Sequence, residues 1–145
     1  MLALESLVNT SADWICDKPA VLTDFNGAAY IGAWYEQQHS SGLIFEPDGS
    51  TCVEALYSNL NTADGSFNVL NSLQDANFSP RDSSPTHAYC PDASGQCYVG
   101  ISPDSPFSSP NYTVIDTDYT SYSIVYHCGK VHLRLWLLTR EPVID

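Results

Sequence analysis

The stretch Tyr30-Ile31-Gly32-Ala33-Trp34-Tyr35 decides how the rest of the chain is read. Tyr, Ile and Trp favour a pleated, half-buried backbone, so a strand is expected from residue 30 to about residue 39. A glycine inside a strand marks a bend or the close approach of another backbone. Trp34 is the largest apolar side chain available, and its indole N–H needs a partner when buried. Alone, these residues describe an ordinary strand with a core tryptophan. What makes them specific lies near the other end of the chain.

Working outward, short strand-like runs recur at regular spacing, separated by turn residues, the pattern of a sandwich or barrel. After the first run, Glu46-Pro47-Asp48-Gly49 makes a turn, and residues 51–60 and 66–73 follow on either side of a second turn at 61–65. Residues 75–85, with Pro80, Ser83, Ser84 and Pro85, read as loop. Residues 86–90 and 96–101 read as a hairpin, the proline-rich 102–110 as loop, and 111–116, 121–128 and 131–139 as the last strands. There is no convincing long helix, no repeat and no domain-splitting linker. Eight strands match a small antiparallel up-and-down barrel whose interior can hold one small ligand.

Composition narrows the function classes. The chain has 145 residues, enough for one core, and 5 Lys plus Arg against 17 Asp plus Glu, a formal net charge of −12. So acidic a surface repels phosphate backbones and anionic membrane surfaces, so neither nucleic acid nor membrane is an expected partner. No apolar run approaches the ~18 residues of a membrane span. Aromatics at 12 %, with 9 Tyr, are too many for a disordered acidic chain. The five cysteines, Cys16, Cys52, Cys90, Cys97 and Cys128, show no C-x-x-C spacing. Together with N-x-[ST] sequons at Asn9, Asn77 and Asn111, they favour an oxidising, secretory setting and a secreted glycoprotein. Residues 1–12 carry Glu5 and no basic lead, unlike a signal peptide, so the chain reads as a mature form.

No active-site pattern appears: no G-x-S-x-G, no phosphate-cradling glycine loop, no H-E-x-x-H. His39, His87, His127 and His132 share no metal-ligand spacing, and no metal is expected. Asp116 and Asp118 belong to a turn whose carboxylates readily cap backbone N–H groups.

Three stretches, in order, resemble the motifs of the lipocalin family. Gly32-Ala33-Trp34 resembles its G-x-W on the first strand. Asp116-Thr117-Asp118-Tyr119, followed by Tyr122 and Tyr126-His127-Cys128, resembles its T-D-Y turn. Trp136-Leu137-Leu138-Thr139-Arg140-Glu141-Pro142 resembles its arginine near the end of the last strand. The resemblance spans roughly Cys16 to Pro142 and is nearest to the apolipoprotein D, retinol-binding and bilin-binding branch. It implies one lipocalin domain over 1–145, with a lead-in at 1–29, barrel strands within 30–139 and a tail at 140–145. It implies that Trp34 plugs the closed end with Arg140 across its ring, a cation–π contact with hydrogen bonds to nearby carbonyls. It also implies a Cys16–Cys128 disulfide. A Cys90–Cys97 bridge is plausible across the hairpin, leaving Cys52 free or paired between chains. Lipocalins continue from the last strand into a helix against the barrel wall; the sequence ends at Asp145, so that helix is expected to be missing.

With the phase set by the family register, strand alternation sorts side chains into inward and outward sets. The inward set, and hence the expected ligand-binding residues, is Val53, Ala55 and Tyr57; Phe67, Val69 and Asn71; Val99 and Ile101; Tyr112 and Val114; Ser123 and Val125; and Arg134, Trp136 and Leu138. Leu56 and Ser58 face out. Arg134 has no obvious inward carboxylate partner; an open wet mouth or an acidic ligand would resolve its cost, or else it faces solvent and the register is wrong.

The resemblance implies binding and transport or storage of one small hydrophobic molecule: a carotenoid, retinoid, bilin, sterol or fatty acid. No cofactor is required beyond that ligand, a pigment is an option, and a homo-oligomer is allowed. The chain is not expected to be an enzyme. Two other classes stay open: a lipocalin-type isomerase, for which Cys97 is the one thiol near the wall, and an interaction or inhibitor protein using its loops.

Overall fold

The computed structural model describes residues 19–40, 49–100, 110–128 and 133–144. After a single helical turn, α1 (Gly27–Tyr30), come nine strands among those residues. They are β1 (Gly32–His39), β2 (Thr51–Asn61), β3 (Ser66–Gln74), β4 (Pro80–Asp82), β5 (Thr86–Tyr89), β6 (Gln96–Gly100), β7 (Tyr112–Thr117), β8 (Tyr122–Cys128) and β9 (Leu133–Thr139). All pairings are antiparallel, sequence neighbours lie side by side except β4 and β5, and β1 pairs with both β2 and β9. The sheet therefore closes on itself. β4 and β5 both pair with β3, at Ser72–Gln74 and Ser66–Val69 respectively, and so count as one barrel strand broken between them. The result is the expected closed eight-stranded barrel, in which, among the described residues, β4 pairs on one side only.

Two boundaries differ from the sequence reading. Residues 75–85 were expected to be loop, yet Pro80–Asp82 pairs with β3. Proline is tolerated there because it is the first residue of the strand, where its missing N–H costs no rung. The turn before it is wound around Asp75, whose Oδ1 accepts from Asn77 N (2.9 Å) and Ser79 N (3.1 Å) and whose Oδ2 accepts from Arg81 Nε (2.8 Å). The Arg81 bond, followed by those backbone donors, holds the Asp75 carboxyl below the usual carboxylate range. The second difference is the start of β1. Tyr30 closes α1, donating its N–H to Asn26 O, and Asn26 caps the turn by accepting from Ala29 N at 3.1 Å. The strand starts at Gly32, with φ +111°, a backbone conformation that L side chains rarely adopt. A Cβ there would also come within 3.0 Å of Arg140 Nη1, so glycine is needed for space as well as for φ.

Cys90 and Cys97 form a disulfide across the β5–β6 hairpin, with Cα atoms 4.2 Å apart. Cys52 is a free thiol on the surface. The expected Cys16–Cys128 bridge lies outside the described residues, as do Ile101 and the Asn9 sequon. Of the other two sequons, Asn77 is exposed. Asn111 is not available in the same way: its Oδ1 accepts from Val99 N and its Nδ2 donates to Val99 O, both at 2.7 Å, so that the side chain supplies the next rung between β6 and β7.

Candidate ligand-binding site

The closed end of the barrel is built around Trp34, which is fully buried and donates its indole N–H to Tyr30 O at 2.9 Å. The Arg140 guanidinium carbon lies 3.7 Å from the centre of the Trp34 ring. Arg140 donates Nε to Tyr119 O (3.0 Å), Nη1 to Ala33 O (2.9 Å) and Nη2 to Ala29 O, Tyr30 O and Ile31 O (2.9–3.2 Å). Those carbonyls belong to α1, the start of β1 and the β7–β8 turn, so one planar fork ties three segments together. The turn itself is wound on Asp118, whose Oδ1 accepts from the backbone N–H of Thr120, Ser121 and Tyr122 at 2.7–3.0 Å. The Ser121 hydroxyl, then these N–H groups, pull the Asp118 carboxyl far below its ordinary value.

Above this plug lies a layer of hydroxyl-bearing rings. Tyr57 stacks on Tyr30 with ring centres 5.6 Å apart, and Tyr112 meets Tyr57 edge-on at 6.4 Å. Their hydroxyls connect in a line: Ser123 Oγ to Tyr30 Oη at 2.8 Å, Tyr30 Oη to Tyr112 Oη at 3.1 Å, and Tyr112 Oη to Tyr57 Oη at 2.7 Å. Burial pushes the Tyr30 phenol up to about 12 and raises Tyr57 and Tyr112 well above their ordinary value too, so all three stay protonated at physiological pH.

A cavity of about 440 Å³ opens above that layer, within the size range of small-molecule sites. β2 contributes Val53, Ala55 and Tyr57 to its wall, β3 Phe67, Val69 and Asn71, β6 Val99, and β7 Tyr112. Val125 of β8 and Arg134, Trp136 and Leu138 of β9 lie on the wall as well. The family register thus puts the right face inward: Leu56, next to Ala55 and Tyr57, is 39 % exposed, whereas Arg134 is only 8 % exposed and lies on the cavity wall rather than in solvent.

Two of the expected residues are not on the wall. Val114 and Ser123 are fully buried but lie one step nearer the closed end, Val114 in the packed core and Ser123 under Tyr30. Alternation gives the correct face, but the depth of the floor depends on how far the aromatic layer fills the barrel, and that is a packing result. Cys97 is likewise not a free thiol near the wall, because it is bonded to Cys90.

Other wall residues were not anticipated. Glu36 and His127 line the cavity, each two positions along its strand from an inward residue, Trp34 and Val125, so the same alternation would have flagged them. The His127 ring donates Nδ1–H to Asn111 O, and Glu36 pairs with the His39 ring. Ala88 of β5 and Asn111 beside β7 also face in. At the mouth, Glu54, Arg81, Asp82 and Ser83 form a charged rim. Three of these fall in the stretch read as loop, where no periodic signal exists.

No family model matches the chain. Among curated proteins it is 33 % identical over 120 residues to the Lazarillo protein of Schistocerca americana, covering 79 % of this chain and 52 % of that one. It is 29 % identical to apolipoprotein D of Cavia porcellus, covering 87 % of this chain and 66 % of the relative. With the outer membrane lipoprotein Blc of Vibrio cholerae it shares 32 % identity over 127 residues, 86 % of this chain and 70 % of the relative. The chain thus spans about half the length of the first of these and about two thirds of the second. Among solved structures it resembles the cockroach allergen Per a 4 (TM-score 0.62, 22 % identity, 90 % of this chain and 80 % of that one). It also resembles a biogenic amine-binding protein (TM-score 0.59, 20 % identity, 90 % and 74 %). At these identities the structural likeness speaks for the fold.

Proposed function

This chain belongs to the lipocalin family, and on that footing we propose that it binds one small hydrophobic molecule inside its barrel and carries or stores it. The observation that carries the reading is the cavity itself: closed at one end by Trp34 and Arg140, and walled mainly by apolar and aromatic side chains. Burying an elongated apolar ligand contributes roughly 0.8 kcal/mol per methylene before ordering costs. The planar faces of Tyr57, Phe67 and Trp136 suit a conjugated or fused-ring ligand. The volume favours a molecule of retinoid or sterol size, with a fatty acid and a bilin as further ligand classes; a full-length carotenoid would protrude from the mouth. The ligand is cargo, and no resident cofactor is needed. The Cys90–Cys97 disulfide supports secretion into an oxidising compartment.

Native mass spectrometry and an absorption spectrum of protein from its natural source test the reading directly. Ala55→Trp, on the wall, is expected to abolish binding while the barrel still folds; Leu56→Trp, facing out, is expected to leave it unchanged. If retinoids, sterols, bilins, carotenoids and fatty acids all fail to bind a folded sample, the carrier reading is wrong. The isomerase alternative has lost its nucleophile, since the Cys97 thiol is consumed in a disulfide.

A further inference from the structure

The hydroxyl line under the cavity has a proton count that does not close. Ser123, Tyr30, Tyr112 and Tyr57 bring four O–H groups and make three hydrogen bonds to one another. Each bond uses one proton, so one O–H is left with no acceptor in the line. Among the described residues neither end of the line has a further hydrogen-bond partner. If the spare proton sat on Ser123, it would be trapped in the fully buried core, where an orphan donor is costly. Tyr57 and Tyr112 line the cavity, so a spare proton on either can point into it. The favoured polarity therefore runs from Ser123 through Tyr30 and Tyr112 to Tyr57, with the free donor at the cavity floor.

We propose, resting on the carrier reading above, that Tyr57 and Tyr112 are specificity-determining residues that select a ligand entering with a neutral hydrogen-bond acceptor, a carbonyl or hydroxyl oxygen, at its leading end. A pure hydrocarbon leaves the donor unsatisfied in a dry site, and sites built to pair with a polar group reject analogues lacking it. A carboxylate is disfavoured for a separate reason. The positive Arg140 guanidinium behind Trp34 draws negative charge toward the floor, yet desolvation outweighs it at Tyr30 and Tyr57 and keeps both phenols neutral. The same burial penalises a carboxylate brought to the same place. The leading oxygen thus goes down onto the rings, and the apolar body fills the cavity toward the charged rim.

The test uses four polyenes with one hydrocarbon body: retinal, retinol, retinoic acid, and axerophthene, in which a methyl group replaces the oxygenated end. Binding is read by tryptophan quenching, and folding by the thermal midpoint. Wild-type protein is expected to bind retinal and retinol roughly tenfold more tightly than axerophthene, with retinoic acid weaker than both oxygenated neutrals. Tyr57→Phe alone shifts the donor to Tyr112 and reduces the preference only in part; Tyr57→Phe with Tyr112→Phe brings retinal, retinol and axerophthene together, while retinoic acid stays weaker because burial still penalises its charge. In wild-type protein the carbonyl stretch of bound retinal is expected at lower wavenumber than in hydrocarbon solvent, a readout that needs no variant. Equal binding of axerophthene and retinal, or tightest binding of retinoic acid, overturns this inference while the carrier reading stands. So does a preference that survives in the folded double variant. Failure of all four to bind also overturns it, and the carrier reading is then decided by the other ligand classes.

Discussion

The two ends of the barrel are built on opposite principles. At the closed end almost every polar group has a fixed partner: Arg140 serves five carbonyls and the face of Trp34, Asp118 serves three backbone N–H groups, and Trp34 serves Tyr30. Toward the other end, among the described residues, the cavity wall carries Glu54, Arg81 and Asp82, and Asn71 and Arg81 are exposed. The difference assigns stability to one end and access to the other. A barrel that must admit a ligand cannot knit both ends shut, so the interactions that specify the fold gather where the ligand does not pass.

Alkaline pH breaks that contrast most severely. The three buried phenols have pKa values raised above the unfolded value near 10, so their contribution is fully present below pH 10 and is lost as pH rises through the folded values, beginning at about 12 for Tyr30. Between those limits each costs about 1.4 kcal/mol per pH unit. Thermal midpoints measured from pH 8 to 12 are therefore expected to hold steady to about pH 10 and then fall steeply. A flat profile to pH 12 would mean that the hydroxyl layer is not buried.

Next in size is Arg140→Ala, which strips hydrogen bonds from carbonyls in three segments and removes the cation from Trp34. A loss of about 3 kcal/mol or more is expected from denaturant midpoints, since charge-assisted bonds are worth roughly 1.5–3 kcal/mol and the cation–π contact adds to them. Loss of only a few tenths would show that the closed end is held by apolar packing alone. The smallest effect is expected at the rim. Arg81 is 65 % exposed at its side chain, so its bond to the buried Asp75 is screened by solvent and worth less than the Arg140 contacts. Arg81→Ala should lower the melting temperature only slightly and alter ligand association rates as well; a midpoint shift rivalling that of Arg140→Ala would erase the contrast between the ends.

Much of this architecture was legible in the residues. Gly32, Trp34 and Arg140 lie at the two ends of the described chain and meet in space, and the inward faces of β2, β3 and β9 follow from alternation once the phase is set. Less was legible where local signals conflict. Tyr30 carries strong strand propensity but is held in a helical turn by the Asn26 cap, which leaves its ring free to lie under Tyr57. Pro80 and Ser83 to Pro85 carry loop propensity but flank a strand, because β3 offers Ser72 to Gln74 as a ready partner edge.

By itself the sequence determined what each strand can do: its period-two pattern says which faces are apolar, and the resemblance of its glycine, tryptophan and arginine to the family motifs implies how one end closes. Only the tertiary structure decided where the floor of the cavity lies and what chemistry it shows a ligand. Ser123, Tyr30, Tyr112 and Tyr57 come from four separated segments, and no local pattern links them. Their hydroxyls form one line because barrel closure stacks those rings at a single level. Hydrogen bonding depends on distances of about 3 Å, and the fold alone sets distances between residues so far apart in the chain.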